Sequence, residues 1–160
     1  MKPDIRRATG KLGKVIVVRL APDCDLMESL EQIARDEHIH AGVILSGAAS
    51  LKQAVLRNVK RFPDEFPITD EIRIRCKRNE PMELLSLSGN ISVRDGEVFI
   101  HGHITVSSGK EDGLAYGGHL TKGSIIFSTG EIVIAEIQGV VMERLPDAET
   151  KNIELYTRPD

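Results

Sequence analysis

The chain has 160 residues and a formal net charge of −3, from 21 lysines and arginines against 24 aspartates and glutamates. This length fits one domain that can bury a core without a disulfide or a structural metal. Neither charge sign forms a long run, which argues against a nucleic-acid-binding arm. No apolar segment suits an export signal or a membrane span, so we expect a soluble, cytoplasmic protein without membrane contact. Cys24 and Cys76 are expected to be free thiols.

The first half of the chain predicts several strands and one helix. Lys14–Leu20 is β-branched and apolar, and it ends before Pro22, which indicates a strand. Asp25 stands three residues before Glu28, in the spacing of a capping box, and apolar residues then recur at helical intervals towards Gly42. Three further strands are predicted, at Val43–Ser46, Ser50–Val59 and Glu71–Lys77.

The dipeptide Asp95-Gly96 favours a type I′ turn and predicts a hairpin between Met82–Val93 and Glu97–Ser107. Such a turn fixes the register of the two strands. The apolar face of the hairpin then contains four opposed pairs, which are Ile91 with Ile100, Leu87 with Ile104, Leu85 with Val106, and Gly89 with Gly102.

The polar face of the hairpin carries two histidines. The same register places Asn90 across from His101 and Ser88 across from His103. Residues two apart in a strand point the same way, with Cα atoms roughly 6.5 Å apart, so His101 and His103 can direct two imidazoles at one ion. Ser88 and Asn90 would lie beside these ligands. The alternative is that both histidines are polar residues on a solvated face.

A third metal ligand is predicted at His119. Gly117-Gly118 precedes it, and we expect the freedom of this glycine pair to turn the imidazole back towards the hairpin. Three neutral imidazoles suit a divalent metal, zinc first, and leave a fourth position for water or a small-molecule ligand.

A metal with an open position could activate water, which raises the alternative of a metal-dependent hydrolase or lyase. Such an enzyme also needs a general base. Glu111 and Asp112 lie in the adjoining loop, although a carboxylate beside Lys110 is more often simply solvated. No other catalytic motif is present, and the catalytic residues stay unassigned.

A basic cluster raises a second alternative, a DNA-binding regulator. The cluster could follow a phosphate backbone, together with Arg57, Lys60 and Arg61. Its members are Arg73, Arg75, Lys77 and Arg78. Charged side chains on an exposed strand also prevent aggregation, and with 4% aromatic residues there is little to stack on bases. We favour edge protection over DNA binding.

The end of the chain predicts buried strands followed by a loose tail. Ser124–Gly139 is uniformly apolar enough for strands covered on both faces. The polar residues after Leu145 predict a loosely held extension. We therefore expect one domain over residues 1–145 and an extension over residues 146–160.

The sequence resembles the plants-and-prokaryotes conserved (PPC) domain from about Lys11 to Leu145. Five segments occur in the family's order, namely Ser46–Arg57, Glu83–Ile91, His101–Ser107, Gly117–Leu120 and Glu131–Ile134. The resemblance implies an α/β (α+β) fold with a mainly antiparallel mixed sheet and few flanking helices, assembled as a homotrimer.

The resemblance also bears on function. In the stand-alone prokaryotic branch, the histidines that match His101, His103 and His119 are plausible zinc ligands. The family is often labelled DNA-binding by association with plant proteins, but the Arg-Gly-Arg-Pro core of the plant AT-hook is absent from this chain. The expected role is therefore a metal-containing trimeric interaction or regulatory module, whose partners are its own copies and a further protein or small molecule.

Overall fold

The computed structural model describes residues 5–160 and is dominated by one mixed β-sheet. Met1–Asp4, part of the segment used to exclude an export signal, lie outside the described residues. The strands and the helix are β1 Lys11–Leu20, α1 Leu26–Asp36, β2 Gly42–Val59, β3 Arg73–Arg78, β4 Met82–Arg94, β5 Glu97–Ser108, β6 Ala115–Leu120, β7 Ile125–Gln138, β8 Val140–Pro146 and β9 Ile153–Pro159.

Helix α1 begins as the sequence predicts. The Asp25 carboxylate accepts a hydrogen bond from the backbone N–H of Glu28 at 3.1 Å, which satisfies one of the free donors of the first turn. Leu26, Leu30 and Ala34 are fully buried against the sheet. Within residues 5–160, no helix is both long and apolar enough to cross a membrane.

Strand β2 organises the sheet. It pairs with β4 and β7 along its first half and with β3 and β6 along its second half. Because β5 joins β4 to β6, the pairings of β2, β4, β5 and β6 form a closed circuit around the core. The prediction of two separate strands, Val43–Ser46 and Ser50–Val59, is wrong, because β2 is one continuous strand. Its pairing with β7 contains irregularities, including one at Ile44/Ser46, but these do not end the strand.

The β4–β5 hairpin has the predicted register over most of its length. Ile91 lies opposite Ile100, Leu87 opposite Ile104, and the turn residues Asp95 and Gly96 both have positive φ. The predicted pairing of Leu85 with Val106 is wrong. Val106 pairs with Leu84, the register shifts between Leu84 and Ser86, and Leu85 is 57% exposed. A bulge inserts one residue, so a register counted from the turn fails beyond it.

Strand β7 is less covered than its sequence predicts. Phe127 of β7 is 63% exposed, so this strand is not covered on both faces throughout, although Ile132, Ile134 and Ala135 are fully buried.

The expectation of a loosely held tail is also wrong. β9 pairs antiparallel with β8 over seven residues, from Pro146 opposite Ile153 to Val140 opposite Pro159. Tyr156 also donates a hydrogen bond to Asp147 at 2.8 Å. The polar composition reflects the position of β9 at the end of the sheet order, where few apolar side chains are needed.

The facing glycines Gly89 and Gly102 provide a stability test. A Cβ added at Gly89 would lie 2.2 Å from the carbonyl oxygen of His101, whereas one added at Gly102 would lie 3.6 Å from Leu120. We expect Gly89→Ala to lower the free energy of unfolding by about 1 to 3 kcal/mol in urea titrations, because the strands must separate. Gly102→Ala is the matched control and should have a much smaller effect. Equal losses in the two variants would contradict this packing.

Candidate metal centre

Strand pairing brings the three histidines together. His103 of β5 lies directly opposite His119 of β6, and His101 lies two residues from His103 on the same face. The three side chains each offer one ring nitrogen, and these nitrogens all lie within 4.8 Å of one another. His101 and His119 are half-buried and His103 is exposed.

The expected glycine hinge before His119 is wrong. Gly117 and Gly118 belong to strand β6, and neither is among the glycines with positive φ. The missing side chain at Gly118 serves packing instead, since a Cβ there would lie 2.6 Å from Asn58 Oδ1. Asn58 Nδ2 also donates to the carbonyl oxygen of Gly117 at 2.9 Å. His119 is therefore positioned by sheet register, not by a flexible turn.

The spacing of the rings fits a shared ion. His101 Nε2 and His119 Nδ1 are 3.2 Å apart, and the ring centres of His103 and His119 are 4.2 Å apart. Tetrahedral zinc with bonds of about 2.0 to 2.1 Å places neighbouring ligand nitrogens roughly 3.3 Å apart. The donor set and the spacing thus suit zinc, with the exposed side of the cluster open to solvent.

Arg144 of β8 is a site residue that the sequence did not reveal. Its side chain is buried, with the residue 7% exposed, and its Nη2 lies 3.1 Å from both His101 Nδ1 and Asn90 Oδ1. Its Nε donates to Ser92 Oγ at 3.3 Å. Asn90 therefore lies beside the cluster, as predicted, but binds Arg144. Ser88 is exposed across from His103.

Arg144 determines which ring nitrogen of His101 carries the proton in the metal-free site. A guanidinium only donates, so His101 Nδ1 accepts, and the ring proton lies on Nε2, which faces His119 Nδ1. Binding a metal through Nε2 would require that proton to move to Nδ1. The Arg144 N–H and the His101 Nδ1–H, both donors, would then face each other, and Arg144 would lose its hydrogen bond to His101.

Two of the histidines, His101 and His119, are held neutral. Burial, followed by the neighbouring His103 and His101, lowers the pKa of His119 to about 4. Burial and then the charge of Arg144 lower the pKa of His101. A metal binds the unprotonated imidazole. Because these two rings are already neutral at neutral pH, metal binding does not have to displace an acidic proton from them.

The other predicted site residues lie apart from the cluster. Glu111 receives hydrogen bonds from Tyr116 and Arg78, and these lower the pKa of its carboxyl group, which weakens it as a base. Asp112 lies in the exposed turn after β5 with positive φ.

The structure divides the basic cluster of β3. Arg78 forms ion pairs with Glu80 and Glu111 and lies over the Tyr116 ring. Arg73 lines a cavity together with His101 and His119. Arg75 and Lys77 are exposed. These residues do not form one uninterrupted basic stripe.

The sequence matches one protein family over most of its length. Residues 7–138 match the family described as the Plants and Prokaryotes Conserved (PCC) domain. The chain belongs to this family. The resemblance to the PPC domain, another abbreviation for the same name, is thereby confirmed.

Two solved structures share the PPC fold over nearly the whole chain. One is a metal-containing protein from Archaeoglobus fulgidus, 28% identical, with a TM-score of 0.77 and coverage of 94% of this chain and 98% of that one. The other is a PPC protein from Pyrococcus horikoshii, 26% identical, with a TM-score of 0.76 and coverage of 93% and 96%.

A curated relative is much longer than this chain. The bifunctional protein GlmU of Synechococcus sp. (strain JA-2-3B'a(2-13)) is 36% identical over 146 residues, which are 91% of this chain and 20% of the relative. The chain thus spans about a fifth of the length of the curated relatives it matches.

The depressed pKa of His119 predicts a pH dependence of stability in metal-free protein. The unfolded chain binds a proton at His119 near pH 6.5, whereas the folded chain does so only near pH 4. The unfolded state therefore holds more protons in this window, and the free energy of unfolding should fall as the pH drops through it. His119→Gln should weaken this dependence in denaturant titrations. An unchanged slope in the variant would show that His119 is not the group responsible.

Proposed function

We propose that this PPC-domain protein binds one divalent metal ion, zinc most readily, through His101, His103 and His119. The observation that carries the proposal is the convergence of three ring nitrogens within 4.8 Å on adjacent strands. A sheet face that needed only polar cover would not require three imidazoles in contact. The metal-containing relative from Archaeoglobus fulgidus supports the assignment, since it has the same fold at 28% identity.

The metal-bound protein would act as a self-assembling interaction or regulatory module. Support for self-association comes from β1, which ends the sheet order and exposes apolar side chains. Val17 is 79% exposed and Val15 is 54% exposed, while Leu45 of β2 is 48% exposed. Apolar groups exposed along a sheet edge are typical of contacts between chains. We propose that copies of this chain cover them, as a homotrimer.

A metal-dependent enzyme is the second candidate, and one observation favours it. Glu154 of β9 lines the same cavity as His101 and His119. A carboxylate there could serve as a general base for a reaction at the metal. It replaces Glu111 and Asp112, which the sequence suggested, as the candidate base.

Metal content tests the primary proposal. Protein purified without a polyhistidine tag should contain about one zinc per chain by inductively coupled plasma mass spectrometry. His103→Ala removes a ligand from an exposed position and should reduce the content to a small fraction. His40→Ala removes an exposed histidine outside the cluster and should leave it unchanged. Metal content that is negligible in the parent protein, or equal in both variants, would contradict the proposal.

Light scattering tests self-association. The protein should have about three times the 17.6 kDa mass of one chain, and Val17→Asp should reduce it, because a buried unpaired charge opposes the contact. Phe62→Asp is the control, since Phe62 is also highly exposed but lies outside β1. A parent protein of monomeric mass would overturn this part of the proposal.

A further inference from the structure

Four arginines line the cavity beside the histidine cluster. Its volume is about 470 Å³, and His101 and His119 form part of its wall. The arginines come from four different strands, β2, β3, β4 and β8, so the fold itself gathers them. They are Arg57, Arg73, Arg94 and Arg144, and we call the space they line the arginine cavity.

The two inner arginines, Arg57 and Arg144, have no close ion pair among the described residues. The charge of Asp70 acts against the lowering of the Arg57 pKa by burial, and that of Glu154 against the lowering of the Arg144 pKa, but neither carboxylate lies within ion-pair distance. Arg144 is buried and its hydrogen-bond partners are the neutral groups of Asn90, Ser92 and His101. Arg57 is half-buried, and burial followed by Arg73 and Arg75 lowers its pKa. In the part of the chain that the structure describes, no carboxylate forms an ion pair with either one. Buried charges are ordinarily paired, so a bound anion would compensate the charges of Arg144 and Arg57.

The outer arginines are only weakly compensated. Arg73 lies 2.8 Å from Asp70 and Arg94 lies 3.4 Å from Asp95, but these carboxylate side chains are 94% and 87% exposed. Solvent screens such pairs, and they contribute little. Glu154 is the one carboxylate among the lining residues of this cavity, and it accepts a hydrogen bond from Thr150. Positive charge therefore dominates here, in a chain whose net charge is −3.

Arg144 connects the arginine cavity to the histidines. Its N–H group at His101 Nδ1 loses that acceptor once His101 is a metal ligand through Nε2. The freed donor then needs a new acceptor, and the cavity is the adjoining space. A guanidinium donates two parallel hydrogen bonds to a carboxylate or a phosphate, which makes these oxyanions the matching chemistry.

We propose that the arginine cavity binds a small organic anion with two acidic groups, one held by the arginines and the other next to His101 and His119. Val59, Ile68 and Phe99 also line the cavity and would contact a short carbon skeleton. The contact of the second acidic group with a metal rests on the proposed function, and so does the release of the Arg144 donor from His101. The contacts of Arg57, Arg73 and Arg94 with the anion do not.

Calorimetric titration with defined probes tests the proposal. Succinate carries two carboxylates and 3-phosphoglycerate carries a carboxylate and a phosphate, so a preference between them separates carboxylate from phosphate recognition. Succinamide and glycerol are uncharged probes with the same numbers of carbon atoms. We expect at least one anion to bind at millimolar concentration or below, at constant ionic strength, and neither neutral probe to bind. Binding of neither anion to the zinc-loaded protein overturns the proposal.

Two arginines of β3 provide a matched pair of variants. Arg73 lines the cavity and Arg75 does not, although the two lie two residues apart and carry the same charge. Arg73→Gln should weaken anion binding about tenfold, the effect of one charge-assisted hydrogen bond. Arg75→Gln should change it much less. Equal weakening would show a diffuse electrostatic attraction and would contradict a built site.

Metal removal separates this proposal from the metal assignment. Anion binding that depends on Arg73 but is unaffected by zinc supports the cavity and argues against the metal contact. Zinc binding without anion binding leaves the metal assignment intact and overturns the cavity proposal. If a short DNA duplex displaces the anion, and if Arg73→Gln and Arg75→Gln weaken duplex binding equally, the ligand of these arginines is nucleic acid and the small-anion proposal is overturned. If the parent protein binds neither anion and Arg73→Gln dissociates the oligomer, the arginines contact another copy of the chain, and the cavity proposal is overturned.

Discussion

The antiparallel pairing of β4, β5 and β6 is the constraint on which the site depends. It places His103 opposite His119 and Asn90 opposite His101, with the three imidazoles on one face of the sheet. A slip of β6 by one residue would turn His119 towards the core and bring Leu120 to the polar face. The buried positions of Leu120, Ile104 and Leu87 oppose such a slip, so the apolar core fixes the geometry of the polar site.

The chemistry of the site follows from the close packing of arginine side chains against neutral imidazoles on that face. Arg144 cannot accept a proton, and its contact with His101 determines which ring nitrogen is available in the metal-free protein. In the proposed metal-bound state, metal binding and anion binding would be coupled, because the Arg144 guanidinium would serve either His101 or an anion in the cavity. Such coupling would give a regulatory module a means of sensing a small molecule, and it would give an enzyme a means of positioning a substrate.

The sequence predicts those features that depend on local pairing. Asp95-Gly96 fixes the hairpin turn, and counting from it places Ser88 and Asn90 correctly across from the histidines. Counting fails at Leu85, because a bulge has no signature in the alternation of apolar residues. The position of His119 was predicted correctly beside the hairpin, but for the wrong physical reason, since a glycine pair can mark close packing as well as a hinge.

The features that depend on distant parts of the chain could not be predicted. Arg144 reaches His101 across 43 positions, and β9 supplies Glu154 to the cavity although its composition resembles that of a loose tail. The sequence places Arg57 and Arg73 in a basic surface cluster, whereas the pairing of β2 with β3 and of β4 with β8 brings them to one cavity with Arg94 and Arg144. Such convergence follows from the topology of the sheet and not from spacing along the chain.

The central claim is that one metal ion binds between the three imidazoles. Anomalous X-ray diffraction, measured above and below the zinc absorption edge on crystals of the untagged protein, tests it most directly. The account predicts a zinc peak within bonding distance of ring nitrogens of His101, His103 and His119, with Arg144 turned away from His101 Nδ1. Absence of a peak there in zinc-saturated crystals, or a peak ligated by other residues, would contradict it.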